Sequence, residues 1–411
     1  MLPKNIPLLR NIFSAPALKF RDFRLLWLSG VFNSVGFQGE QVVLGWLVLE
    51  LTDSPMLVGI ALALRMAPFL ILGFPAGALA DRINRRGLLI KLSIGMAVFA
   101  FLLCGLTLWD ILSIWNLLLI TFLGGALRAT HQPTRQSFAY DIVGQPNLIN
   151  GLSFLSLSMR IGGIVGSLVA GSLIAHLGSG VAYGFLATSY VASVISLLFI
   201  GQTSQSGITP NDPVWENIKQ LIAEIRHNSS FRTILMLSAG VEILGFSHQA
   251  ILPVLARDIL AIGAEGLGMM FAIRSIGGIV ATLALSSLTE VKRQGLLYLL
   301  VLYGFGISIF FLSIVDTLYL AMLAVLLING MGALSDILSQ SLIQTTVPNA
   351  LRGRAMGSWV VAVGWGPVGH LQMGALASSF GVGIALLTHS LGLLLLASTV
   401  FVFVPALRRI E

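Results

Sequence analysis

The chain has 411 residues, of which 56% are hydrophobic and 10% charged, and its mean hydropathy is +0.91. A soluble domain carries roughly 25% charged residues, so a water-facing globular protein is excluded and a membrane-embedded one is implied. The formal charge of +7 sits at the ends of apolar runs and builds no continuous basic groove, which argues against a nucleic-acid partner.

In chain order, long apolar runs recur with short polar breaks, each near the roughly 20 residues that a membrane helix needs. Twelve are expected, at about 24–51, 56–79, 88–108, 115–137, 148–177, 181–200, 231–256, 265–288, 295–314, 318–341, 351–377 and 381–405. The fold class expected is therefore an all-α membrane protein. No cleavable signal peptide is expected, because Lys4, Arg10, Lys19 and Arg21 precede the first run without a separate apolar core and cleavage site. Between the second and third runs lies Gly77-Ala78-Leu79-Ala80-Asp81-Arg82-Ile83-Asn84-Arg85-Arg86, with its charges crowded into the last six positions. The stretch 201–230, rich in Ser, Gln, Asn and Pro and then amphipathic from Trp215 to Ile225, is the only sizeable linker. It divides the chain into six-helix halves at 1–200 and 231–411.

Basic residues give the topology. Lys4 to Arg24, Arg82 to Lys91, Arg135, Lys219 to Arg232, Lys292, Arg293, Arg352, Arg354, Arg408 and Arg409 fall on the N-terminal side of the membrane. The opposite loops carry only Arg257, so both termini are expected in the cytoplasm of an inner-membrane protein. The halves also read as copies. Val58-Gly59 through Arg65 matches Leu267-Gly268 through Arg274, Phe23-Arg24 matches Phe231-Arg232, Gly36-Phe37 matches Gly245-Phe246, and Pro146-Asn147 matches Pro348-Asn349. Matches in register indicate a parallel six-helix repeat, with halves related by an axis along the membrane normal.

The 77–86 segment resembles the helix 2–3 loop signature of the major facilitator superfamily, commonly G-x-L-A-D-R-x-G-R-R, with Asn84 replacing the second glycine. The resemblance implies a secondary transporter with two pseudo-symmetric six-helix bundles, in which helices 1, 4, 7 and 10 line a central cavity. It implies a gate in which Gly77 permits a tight turn, Asp81 meets the start of helix 11, and Arg82, Arg85 or Arg86 reaches Asp141. The copy at Thr289-Glu290-Val291-Lys292-Arg293 lacks the Asp–Arg core. The opening Phe23-Arg24-Leu25-Leu26-Trp27-Leu28, the Arg-containing helix 5 and the loop from Pro348 to Arg354 look most like the drug and siderophore exporter branch. Arg160-Ile161-Gly162-Gly163-Ile164-Val165-Gly166 resembles the glycine-rich helix 5 of antiporters, without its usual proline.

Charges in the middles of apolar runs are costly and normally face a wet cavity or an opposite charge. They are Glu40, Arg65, Arg128, Arg160, Glu242, Arg274 and Asp336, whereas helices 3, 6, 9 and 12 carry none in their middles. Those four therefore read as lipid-facing scaffold. Asn33, Phe37 and Glu40 share a face of helix 1 by i, i+4, i+7 spacing. Gln41, His131, His248 and Gln249 are further cavity candidates, with Asn33. Expected pairs are Glu40–Arg128, and Asp336 with Arg160 or Arg274. Such pairs either lock helices together or let an acid load and release a proton as its arginine moves. Gly364-Trp365-Gly366-Pro367 is a candidate bend in helix 11. The single Cys104 reads as a packing residue. The histidines show no ligand spacing and no Gly-x-x-x-x-Gly-Lys loop is present, so neither a metal, nor a cofactor, nor ATP is indicated.

The expectation is a monomeric, proton-coupled exporter of a small amphipathic molecule. The alternatives are a lipid or lysolipid flippase and an importer of an anionic solute, with a membrane-embedded enzyme or receptor more distant.

Overall fold

The computed structural model describes residues 16–201, 228–287, 293–347 and 352–410, with side chains described throughout except at 73–82, 286 and 352–354. Most of the expected 201–230 linker and the 289–292 loop copy lie outside the described residues. The described chain is helical because a membrane offers no solvent partner for backbone amides, and a helix satisfies them internally.

The first crossing is α1, Arg21–Thr52; it stops at Asp53, whose left-handed φ of 49° turns its N–H back to the Leu49 carbonyl. α2, Pro55–Arg82, starts on a proline, whose missing N–H costs nothing in a first turn. α3, Arg85–Leu108, is capped by Asn84, which accepts the Gly87 N–H at 2.8 Å. The residue that departs from the family signature is thus a good N-cap. The next helical stretch, Ile114–Leu177, has 64 residues. At 1.5 Å per residue that is about 96 Å, roughly three bilayer cores, so it must double back. It does so at Gly144, whose φ of 70° and ψ of 171° divide it into α4 (114–143) and α5 (145–177).

α6 is Ser179–Leu198. α7 begins at Ser229–Leu244, breaks, and continues as a 3-10 turn Phe246–Ala250, a short turn Leu252–Val254 and a π-turn Leu255–Ile259. α8 is Gly263–Ser286, α9 Gln294–Ser313 and α10 Leu318–Thr346. α11 is split into Arg352–Val363 and Gly366–Phe380, and α12 is Val382–Phe403. Among the described residues, nine helical stretches qualify as membrane-spanning on length and apolarity alone, Ile114–Leu177 being one of them. α1, polar in its middle, and the split α11 do not, yet both pack within the same body. The result is an all-α protein with twelve crossings.

Two departures from the sequence expectation matter. The seventh helix was expected to be continuous over 231–256, but it breaks at Gly245. The fourth was expected to end near 137, but it runs on to Gly144, because helices continue past the hydrocarbon edge into water where apolarity no longer reports them.

In the first half α1 lies against α5 and α6, α3 against α6, and α2 along α4; in the second α8 and α9 pack on α10, and α9 on α12. The halves meet along α5–α8 and α2–α11. At both seams the backbones touch through glycine. A Cβ on Gly171 would stand 2.9 Å from the Cα of Gly268, and one on Gly374 would stand 3.0 Å from the Cα of Gly59. Gly59 and Gly268, matched by the sequence repeat, therefore occupy equivalent contacts. Small residues are what permits such approach in lipid. Both contacts lie toward the end of the molecule where α1 finishes, called here the far end; α1 begins at the near end.

Candidate functional site

Within the first half the site is built around Phe37. The ring stands between the guanidinium carbons of Arg65 at 4.1 Å and Arg128 at 4.6 Å. Arg65, on α2, also donates to the Phe37 carbonyl at 2.7 Å. Arg128, on α4, forms an ion pair with Glu40 and donates to the Tyr190 hydroxyl at 3.0 Å. Glu40 lies nearly one turn beyond Phe37 on α1, so one helix face supplies both the aromatic wall and the counter-charge. Glu40, Arg65 and Arg128 are all buried. Withdrawing a charge from water costs several kcal/mol unless it is paired, which explains why Glu40 and Arg128 come together.

A second chain of contacts joins the halves. Arg274 on α8 donates to Gln41 Oε1 at 3.3 Å, and Gln41 Nε2 donates to Gln249 Oε1 at 2.8 Å. Gln41 and Gln249 thus use their amides on each other rather than standing free. Arg160 extends from α5 to the face of Gly278 on α8, with NH2 3.1 Å from where a Cβ would be. Its charge is within electrostatic reach of Asp336 on α10, but among the described residues Asp336 makes no ion pair with Arg160 or Arg274. The expected pairing of Asp336 is corrected accordingly: Gln41 occupies Arg274, and packing on Gly278 holds Arg160.

Glu242 lies in the last turn of the unbroken part of α7. Its Oε2 is 3.4 Å from the Cβ position of Gly366, at the start of the second α11 segment, and its charge interacts with that of Asp336. The breaks are stitched by histidine. His248 Nδ1 lies 2.7 Å from the Gly245 carbonyl, and His370 Nδ1 lies 2.8 Å from the Gly366 carbonyl. A carbonyl only accepts, so each Nδ1 carries the hydrogen. His389 Nδ1 is 2.7 Å from Ser247 Oγ, on the 3-10 turn of α7.

At the near end Arg85 NH1 reaches both oxygens of Asp141, at 2.7 and 2.8 Å. Arg86 instead donates to the carbonyls of Leu197 and Leu198 at 3.1 and 2.7 Å, closing the C-terminus of α6. The side chains of Asp81 and Arg82 and the surroundings of Gly77 lie outside the described residues.

Two cavities flank this centre. One lies beside Glu40 and Arg128 between Phe99, Tyr183 and Tyr190 and holds about 310 Å³ counting the space at its opening. The other holds about 380 Å³ counting its open mouth and is lined by Asn33, Phe37, Phe69, Arg128, His131 and Arg135 among others. Arg135 was missed as a site residue because its place near the end of the expected span 115–137 made it look like a topology-setting charge; α4 runs on to 143 and the structure buries it. Tyr190 carried no sequence signal, being an ordinary aromatic in an apolar helix.

Residues 14–411 match the family described as transmembrane secretion effector. The chain is 26% identical to the staphyloferrin A transporter of Staphylococcus aureus over 345 residues, covering 83% of this chain and 86% of that protein. It is 24% identical to the enterobactin exporter EntS of Shigella flexneri over 391 residues, covering 94% and 92%. Among solved structures, a peptide transporter POT in complex with sulfate superposes with a TM-score of 0.77 at 12% identity, over 95% of each chain. A bacterial homologue of the human lysosomal transporter Spinster, inward-facing and unoccupied, gives 0.70 at 16% identity, over 94% of this chain and 95% of that one. At such identities the structural likeness speaks for the fold.

Proposed function

Because the chain belongs to the transmembrane secretion effector family of major facilitator transporters, we propose that this transporter exports a siderophore-like small molecule in exchange for protons. It does so as two bundles, 1–200 and 231–411, joined by the 201–230 linker, which rock about the central charges to open one end at a time. The protein works as a monomer in the inner membrane with both termini in the cytoplasm, so that the near end is cytoplasmic. The substrate class follows from the relatives, a staphyloferrin A transporter and an enterobactin exporter.

The observation that carries proton coupling is the position of Arg160. It belongs to the first half, yet its charge lies against Gly278 and within reach of Asp336 in the second. When the halves part, Asp336 loses that positive charge, and its neighbour Glu242 feels the change through Asp336. An acid whose cationic neighbour comes and goes changes its hold on a proton in step with the motion. Glu40, already paired with Arg128 inside one half, is a lock rather than a carrier.

Proteoliposomes loaded with a pH-sensitive dye test this reading, with staphyloferrin A and enterobactin offered in turn. We expect substrate-dependent proton movement that is lost in Asp336→Asn. Transport that persists unchanged when the pH gradient is collapsed would overturn the exchange mechanism.

A further inference from the structure

The charges around the central cavities do not balance. Among the described residues, five arginines, Arg65, Arg128, Arg135, Arg160 and Arg274, face three acids, Glu40, Glu242 and Asp336. The excess is uneven. No carboxylate among the described residues lines the 380 Å³ cavity of the first half, and Glu40, which lines the other cavity, is taken by the NH2 of Arg128. Nε and NH1 of Arg128 are buried without a hydrogen-bond partner, and so are Nε of Arg135 and Nδ2 of Asn33.

Arg135 is 5% exposed and forms no ion pair among the described residues. Its place is prepared by Gly30 on α1, where a Cβ would stand 2.7 Å from Arg135 NH1. A buried donor left unsatisfied costs on the order of 1–3 kcal/mol, and more when charged. Several such donors around one open-mouthed space are an arrangement that a ligand completes.

We infer that the cavity between Asn33, Phe37, Phe69, Arg128, His131 and Arg135 is an oxyanion site that receives the acidic, oxygen-rich part of the substrate. Among the residues that line this cavity the unpartnered buried polar atoms are nitrogen donors, which favours a ligand that accepts hydrogen bonds. Guanidinium groups recognise two-oxygen anions such as carboxylates with paired, charge-assisted bonds. Phe69, Met159 and the rim of the Phe37 ring add apolar lining, which suits an anion carried on an apolar, aromatic body. This deepens the proposed export of a siderophore-like molecule and rests on it for the direction of transport, but not for binding.

The test is equilibrium dialysis of radiolabelled phthalate, an aromatic dicarboxylate, against the full chain purified in a neutral detergent. Phthalamide serves as the neutral counterpart and phosphatidylglycerol in mixed micelles as the lipid arm. We expect phthalate to bind, phthalamide not to bind, and added salt to weaken binding. Arg135→Gln should lower phthalate affinity by about tenfold or more, and Arg135→Lys by less. Asn33→Leu provides a second variant should Arg135→Gln fail to fold, and is expected to lower affinity several-fold.

Equal binding of phthalate and phthalamide would overturn the assignment, as would unchanged affinity in the folded variants. Binding of phosphatidylglycerol with the same Arg135 dependence, but not of phthalate, would overturn it in favour of a lipid headgroup site. No gradient or second compartment enters the assay. Failure of proton exchange would therefore leave phthalate binding intact, and loss of binding with proton-driven export intact would remove only this site.

Discussion

Arg128 illustrates how one side chain takes several duties in a low-dielectric setting. It neutralises Glu40, touches Tyr190, stacks on Phe37 and still presents two unpartnered nitrogens. Deleting one member of such a pair strands the other, at a cost of about 3–5 kcal/mol, whereas replacing both by apolar residues costs much less. We expect Glu40→Ala to lower the unfolding temperature in detergent sharply, and the Glu40→Met, Arg128→Met double variant to recover much of the loss. A double variant no more stable than Glu40→Ala would show that the pair does not lock the fold. The two residues were legible in the sequence because a charge in an apolar run stands out. Arg135 was not, because a charge near a helix end has an ordinary explanation in topology, and only the third dimension shows α1 and α5 closing over it.

At the scale of the element, the decisive features are contacts between backbones and breaks within helices. The far-end contact of Gly171 with Gly268 leaves no room for a side chain. We expect Gly171→Leu to hold α5 and α8 apart, and spin labels at Leu51 and Ile259, on α1 and α7, to report a longer distance by double electron–electron resonance. An unchanged distance would mean that the helices adapt elsewhere. The glycine-rich run of α5 was visible in sequence, as was the bend in α11, where Gly and Pro occur together. The break in α7 was not anticipated. Gly245 has no proline beside it, and the stitch that stabilises the break, His248 to the Gly245 carbonyl, depends on burial that sequence does not reveal.

For the whole molecule, the halves meet at the far end through polar contacts as well as through glycine. Arg257, the one basic residue expected in the opposite loops, belongs to the second half and donates to Asp53 at 2.8 Å and to the Leu49 carbonyl at 2.9 Å in the first. His176 and Glu265 approach to 3.0 Å beside the same seam. Arg257→Gln should favour separation of the halves, seen as growth of the long-distance population between the same two labels. Because Asp53 is largely exposed, salt screens this pair, and raising ionic strength should move the wild-type distribution in the same direction. A distribution insensitive to both changes would assign closure to the glycine seams alone.

By itself the sequence determined the membrane setting, the helical class, the repeat and the family signature. These depend on local composition and on spacing along the chain, which a bilayer translates almost directly into crossings. Tertiary structure decided the pairing: Glu40 with Arg128, Gln41 with Gln249, Arg160 against Gly278, and Arg135 without a counter-charge among the described residues. Which charges meet depends on helix rotation and on how closely two backbones approach. Neither is encoded in any one segment, because each helix face acquires its partner only when its neighbours are in place.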